Sequence, residues 1–349
     1  MRQASFDGAS RGAGLDWPRV RRVLLVRLRS IGDTVLMTPC LAALKSWRPD
    51  IRLTVLSEPL AAPLLEDHPH VDDLIVAPAG FGARARVVSR LRRERFDVAF
   101  NMHGGTTATF LARLSGARRS VGYKGYRYSW LLDARAPAPD VILGRRLIHS
   151  VEQQLALLGW AGVPWPASGV RLSLTVSGGA RASIRARLGE AGSGDARFAL
   201  IAPSAAIESK RWKEPGFAAV VDHLRDRYNL SSLVIAGPAQ ERIAREVAER
   251  ARAKPIVVAG LSLKELMAII GMAAVFVGND SGPAHIAAAL SRPMAVVFGS
   301  SDASVWRPWT ESVYRVIESP GLSIAQVSEA QVIAAVDEVM QSAIAINKG

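Results

Sequence analysis

The stretch Val23-Leu24-Leu25-Val26-Arg27-Leu28-Arg29-Ser30-Ile31-Gly32-Asp33-Thr34-Val35 reads as a buried strand, a tight turn and the opening of a helix. The strand spans residues 20–28, and its continuous apolar centre suits a parallel strand covered on both faces. Gly32 lets the backbone turn sharply where strand passes into helix. Apolar spacing over residues 35–47 predicts the helix itself. Working outward, further strands are expected at 52–57, 74–76 and 97–101, with a basic amphipathic helix over 87–96. Strands alternating with helices make parallel βαβ units.

The pattern restarts after Pro164-Trp165-Pro166 and the Ser177-Gly178-Gly179 turn. Strands are expected at 198–202, 233–236, 255–258, 274–277 and 294–298, with helices at 217–228, 240–251, 263–271 and 283–290. Two successive α/β units of similar length predict two Rossmann-like domains whose ligands sit at the carboxyl ends of parallel strands. The expected boundaries are a disordered extension over 1–18, a first domain over 19–175 and a second over 176–323. The apolar face of 324–344 predicts a terminal helix over 324–349 that packs back toward the first domain.

Composition narrows the class. The chain has 349 residues, 49% hydrophobic and 21% charged, which is globular. A single cysteine, Cys40, excludes an intramolecular disulfide and fits a reducing compartment. Residues 1–22 lack the apolar core of a secretory signal, and the longest apolar run, 266–277, is too short to span a bilayer. A cytoplasmic protein is expected. Of the net charge of +13, most belongs to residues 1–170, which carry 24 Lys/Arg against 14 Asp/Glu; the remainder carry 20 against 17. A large anionic partner should therefore meet the first half. Arginines at 84, 86, 90, 92, 93 and 95 have no aromatics interleaved as a nucleic-acid stacking platform does, and no nucleic-acid motif occurs.

Three loops carry the chemistry. Asp33 opens the first helix, either as a carboxylate base at the ligand edge or as a helix cap. Pro203-Ser204-Ala205-Ala206-Ile207-Glu208-Ser209-Lys210-Arg211-Trp212 follows the strand at 198–202 and is either a loop whose small residues admit a ligand while Lys210 offers a point charge to a diphosphate, or an ordinary solvated loop. In Gly278-Asn279-Asp280-Ser281-Gly282-Pro283-Ala284-His285 the helix start provides free amide groups for an anion, and Asp280 is placed to orient either Lys210 or the loop itself. His285 is either a packed histidine or a ligand contact. Glu241, just past Gly237-Pro238, suits either a ribose hydroxyl pair or a solvent-facing first turn. No Gly-x-Gly-x-x-Gly follows the first strand, no Walker loop or Asp-x-Asp pair occurs, and His68-Pro69-His70 reads as a surface loop rather than a metal pair.

Taken in register, Ile31-Gly32-Asp33-Thr34-Val35-Leu36-Met37-Thr38-Pro39, Ser209-Lys210-Arg211-Trp212 and Gly278-Asn279-Asp280-Ser281-Gly282-Pro283-Ala284-His285 resemble glycosyltransferase family 9, the ADP-heptose:lipopolysaccharide heptosyltransferases. Asn101-Met102-His103-Gly104-Gly105 and Phe298-Gly299-Ser300-Ser301-Asp302 extend the likeness, which covers residues 20–309. The resemblance implies a GT-B fold: a first domain for the acceptor and a second for the sugar nucleotide, facing a cleft. It implies inverting transfer with no cofactor and no metal, ADP-heptose being a co-substrate. Asp33 falls on the general base and Lys210 on the diphosphate lysine. Asp280, Ser281 and Gly282 fall on the loop around the donor phosphates, Glu241 on the ribose contact and Leu261 near a backbone contact to adenine. Ser204 stands where glycine is common, and Ala205-Ala206 where some members carry hydroxyls. The implied acceptor is a lipid A-core glycolipid at the inner face of the inner membrane, with Arg84, Arg86, Arg90, Arg93, His103 and Arg119 as its contacts and the basic cluster facing the anionic surface. Competing readings are a transferase of another nucleotide-diphosphate sugar and a non-catalytic binding module; the presence of Asp33 together with Lys210 speaks against the second.

Overall fold

Each half of the chain builds one six-stranded parallel sheet in the computed structural model, which describes residues 12–167, 169–190, 197–319, 321 and 323–346. The chain divides into two units, Met1–Thr175 and Val176–Gly349. The first unit contains β1 (Arg22–Val26), α1 (Ile31–Trp47), β2 (Arg52–Ser57), β3 (Asp73–Val76), α2 (Phe81–Glu94), β4 (Val98–Asn101) and α3 (Thr106–Leu114). It continues with β5 (Arg119–Tyr123), β6 (Ala134–Ala136), α4 (Pro139–Leu143) and α5 (Ser150–Trp160). The second contains α6 (Gly178–Glu190), β7 (Phe198–Ala202), α7 (Glu214–Tyr228), β8 (Ser231–Ile235), α8 (Glu241–Arg250), β9 (Ile256–Val258) and α9 (Leu263–Met272). It ends with β10 (Val275–Asn279), α10 (Gly282–Ala289), β11 (Met294–Phe298), α11 (Ala303–Trp306), β12 (Tyr314–Glu318) and α12 (Glu329–Ile346).

The first sheet runs β3-β2-β1-β4-β5-β6 and the second β9-β8-β7-β10-β11-β12. Both are the doubly wound order, in which the connections reverse direction beside the first strand of the sheet. That reversal opens a crevice at the carboxyl ends of β1 and β4 in one unit and of β7 and β10 in the other. The central strands are apolar because helices cover both faces. Val23, Leu24, Leu25 and Val26 of β1 and all of β7 are buried. Each such side chain contributes about 1.5–3 kcal/mol by leaving water.

Several boundaries differ from the sequence reading. β1 is shorter than 20–28, and α1 starts four residues early because Ser30 takes the cap position, with the Thr34 amide donating to its carbonyl at 3.0 Å. Asp33 therefore lies inside the first turn and is not the cap. Pro39 sits mid-helix, where it cannot donate to the Val35 carbonyl; the Thr38 hydroxyl donates there instead at 2.8 Å. α2 likewise starts at Phe81 rather than 87. The strands β5, β6 and β12 and the helices α3, α4, α5, α6 and α11 lie outside the elements that the sequence pattern predicts.

One expectation for the start of the chain needs correction, and the terminal helix is described within its own unit. The disorder expected over 1–18 lies outside the described residues for 1–11, but within 12–18 Ala13 and Trp17 are buried, and Trp17 meets Trp47 edge-on and donates to the Ala161 carbonyl at 2.7 Å. The terminal helix α12, expected to turn toward the first domain, buries Val332, Val336, Val339 and Met340 in the core of its own unit. Its apolar stripe finds that core against β11, β12 and α7.

Candidate functional site

In the first unit the crevice beside β1 holds a carboxylate in a fixed setting. Asp33, about a quarter exposed (26%), receives Arg27 Nη2 on Oδ1 at 2.6 Å. The Ser30 hydroxyl donates to its Oδ2 at 2.9 Å. Arg27 follows β1, is 7% exposed, and donates from Nη1 to the Met102 carbonyl just past β4. Asn101, the last residue of β4, turns its side-chain oxygen to accept from the His103 and Gly104 amides at 3.1 and 3.0 Å. Gly104 has a positive φ of 80°, and a Cβ there would meet the Tyr126 ring at 2.7 Å, so only glycine fits. Burial, and then the Arg27 charge, hold the His103 imidazole below its ordinary range; it is neutral near pH 7. Burial pushes the half-buried Tyr126 phenol up to about 12 despite Arg27 nearby.

In the second unit the crevice beside β7 holds an ammonium. Lys210 Nζ lies 2.8 Å from Asp280 Oδ2; Lys210 is 25% exposed and Asp280 3%. The Ser301 hydroxyl donates to the same oxygen at 2.5 Å, and His285 Nε2 is 3.9 Å from Oδ1. A buried carboxylate so compensated fixes the lysine while leaving two of its three N–H donors for a ligand. The loop bearing Lys210 is locked from below. The Trp212 amide donates to the Asn279 side chain at 3.0 Å, and Asn279 donates to the Pro203 carbonyl at 2.8 Å. The Trp212 indole donates to the Val327 carbonyl at 2.9 Å and packs edge-on against Phe217. Gly299 lies so close beneath that a Cβ would fall 2.2 Å from the Ser209 carbonyl. Ser281 is the cap residue of α10, with Gly282 its first helical residue, so the amides of that turn sit beside Lys210.

The remaining expected residues divide. Ser204 lies in the Lys210 loop, whose Ala205 carbonyl accepts from Gln240 at 3.0 Å. Glu241, the next residue, opens α8 and pairs along the helix with Arg245 at 3.0 Å. Leu261 precedes Ser262, which caps α9, and so lies at the same sheet edge past β9. In the first unit His103 sits at the Asp33 crevice, and Arg84, in the first turn of α2, pairs with Glu58 just past β2 at 3.5 Å. Arg119 is different: it begins β5, at the opposite edge of the sheet. Arg90 and Arg93 belong to the last turns of α2, whose end is marked by the Glu94 pair with Arg22 at the start of β1. Arg86 is exposed on the outer face of α2. The structure thus brings Asp33, His103 and Arg84 to one edge and leaves Arg90, Arg93 and Arg119 away from it.

Arg27, Asn101, Asn279, Trp212 and Ser301 complete the two crevices, and the sequence reading gave none of them a role. The available signal was a polar residue closing an apolar strand, as in Phe100-Asn101 and Gly278-Asn279. Chemically, one crevice offers an oriented carboxylate and the other an ammonium beside a helix start. No cluster of three or more metal-ligating His, Cys, Asp or Glu side chains occurs among the described residues.

Residues 84–330 match the profile of glycosyltransferase family 9 (heptosyltransferase). A lipopolysaccharide heptosyltransferase 3 of Escherichia coli strain K12 is 30% identical over 302 residues, covering 82% of this chain and 85% of that one. The glycosyl transferase family 9 structure from Veillonella parvula superposes with a TM-score of 0.83 at 22% identity, over 95% of this chain and all of that one. The E. coli ADP-heptose lps heptosyltransferase II superposes at 0.79 and 21% identity, over 92% of this chain and 99% of that one.

Proposed function

The chain belongs to glycosyltransferase family 9, and we propose that it moves heptose from ADP-heptose to a hydroxyl of the lipopolysaccharide inner core. The acceptor oxygen forms a bond to the anomeric carbon, the bond from that carbon to the diphosphate breaks, and the configuration inverts. A sugar hydroxyl is a very weak acid, so its proton must leave as it attacks. Asp33 takes that proton, from about 2.6–3.2 Å, at a gain of roughly 10²–10⁴-fold in rate. Lys210 and the amides at Ser281–Gly282 meet the charge that develops on ADP, so the transfer requires no metal. Ser204, Glu241 and Leu261 complete the donor subsite, and His103 and Arg84 contact the acceptor.

One observation carries this reading. A part-exposed carboxylate, Asp33, stands at the crevice of one sheet, and a part-exposed ammonium, Lys210, stands at the corresponding crevice of the other. The names of the E. coli relatives supply the sugar and the acceptor class. Among the described residues no helix is long and apolar enough to cross a membrane. We assign the protein to the cytoplasmic face of the inner membrane, held there by the basic surface of α2.

The test is incubation with ADP-heptose and truncated core acceptors, read as the mass gained by the acceptor. One added heptose is expected, and ADP should bind more tightly than UDP or GDP by calorimetry. Asp33→Ala should bind ADP as the parent does and lose about 10²–10⁴-fold in transfer. Full activity in that variant would remove Asp33 as the base; no product with any core acceptor would remove the acceptor assignment.

A further inference from the structure

We propose that Arg27 is the positioning residue for the base, an inference that rests on Asp33 being that base. Arg27 occupies the floor of the crevice where the connections from β1 and β4 part. Its guanidinium spends one nitrogen on the Met102 carbonyl and another on Asp33 Oδ1, so it ties the β4 loop to the first turn of α1. Its Nε is buried and has no hydrogen-bond partner among the described residues. The side chain therefore has two anchors, and Asp33 is its ion-pair partner.

The consequence is a carboxylate whose two oxygens differ. Oδ1 is committed to a buried, planar guanidinium fork. Among the described residues Oδ2 is held by the hydroxyl of Ser30 alone, itself exposed. Oδ2 is thus the oxygen that receives the acceptor's proton. In that step the acceptor O–H bond breaks, an O–H bond forms on Oδ2, and the Asp33–Arg27 contact passes from ion pair to hydrogen bond until water takes the proton away. A lysine at this position keeps the charge but not the planar fork that reaches Met102 and Asp33 together.

The experiment compares Arg27→Gln, Arg27→Lys and Asp33→Asn with the double variant Arg27→Gln/Asp33→Asn, measuring kcat and KM for ADP-heptose transfer. Misplacing a reacting group by about 1 Å costs on the order of 10²-fold. Arg27→Gln should lose that much in kcat while KM for ADP-heptose stays within about twofold, since the donor contacts lie in the other unit. Arg27→Lys should recover part of the loss. The double variant should be no slower than Asp33→Asn alone, because Arg27 acts through Asp33. In one further variant, Arg27→Ala, guanidinium ion at non-denaturing concentration should raise the rate, and it should leave Asp33→Asn unmoved. Parental kcat in both Arg27→Gln and Arg27→Lys, or losses that multiply in the double variant, would overturn the proposal while Asp33 keeps its role. Full activity in Asp33→Asn would instead overturn the base on which it rests.

Discussion

Lys210 illustrates how a single charged side chain is held at a crevice. Its partner Asp280 is buried and satisfied by Ser301 as well, so the ammonium is presented rather than neutralised outright. Charge-assisted hydrogen bonds contribute about 1.5–3 kcal/mol. Lys210→Met should accordingly weaken ADP binding by roughly 10–100-fold, measured by calorimetry. It should also lower the melting temperature, because Asp280 is left buried without its counter-charge. An ADP affinity equal to the parent's would place the diphosphate elsewhere. At this scale the sequence marks Asp33 and Lys210 as charged residues in turns of small residues, a pattern that a helix cap or a solvated loop shares. It does not mark Arg27: an arginine ending an apolar strand looks like any solvated end, and only the fold returns it to the carboxylate six residues later.

Among the elements, α12 shows how an amphipathic helix is docked. Its apolar stripe fills the core beneath β11 and β12, while Asp337 accepts from His223 Nε2 and from the Tyr228 hydroxyl, both at 2.7 Å. Burial works to raise the Asp337 carboxyl, but the bonds from His223 and Tyr228 outweigh it and hold the group below its ordinary value. The sign follows: a depressed carboxylate stabilises the fold above the ordinary aspartate value near 4, and that contribution fades as pH falls through the lower folded value. Asp337→Asn should cost about 1 kcal/mol at neutral pH, a melting shift of about 2–4 °C, and the difference from the parent should shrink below pH 4. A constant difference down to pH 2 would mean that packing alone docks the helix. The start of α1 carries a related lesson. The apolar pattern begins at Val35, but the hydrogen-bonded turn begins at Ile31, and those four residues carry Asp33 into the helix.

Over the whole molecule the excess positive charge belongs to the first half, where 24 basic residues face 14 acidic ones. Arg86, Arg90 and Arg93 lie exposed on α2, the last two away from the Asp33 crevice, which suits the three to a surface rather than to the reacting sugar. Reversing all three to Glu should weaken binding to anionic vesicles at low salt, at about 1 kcal/mol for each basic residue near the surface, and leave transfer to a soluble truncated acceptor intact. Unchanged vesicle binding in a sedimentation assay would take the membrane away from this helix. The sequence by itself determined the class of the fold, because runs of buried apolar residues alternating with helical periodicity have one packing solution, the parallel sheet covered on both faces. It also marked the turns that bear charge. Tertiary structure decided which of those charges act together. Strand order brings β1 beside β4 and β7 beside β10, so Arg27 meets Met102 and Lys210 meets Asp280 across separations of 75 and 70 residues. Parallel strands also send Arg119 and Asp33 to opposite edges, although both flank strands of one sheet. Local pattern records which face a residue shows, whereas proximity across a sheet depends on strand order, which no short stretch of chain contains.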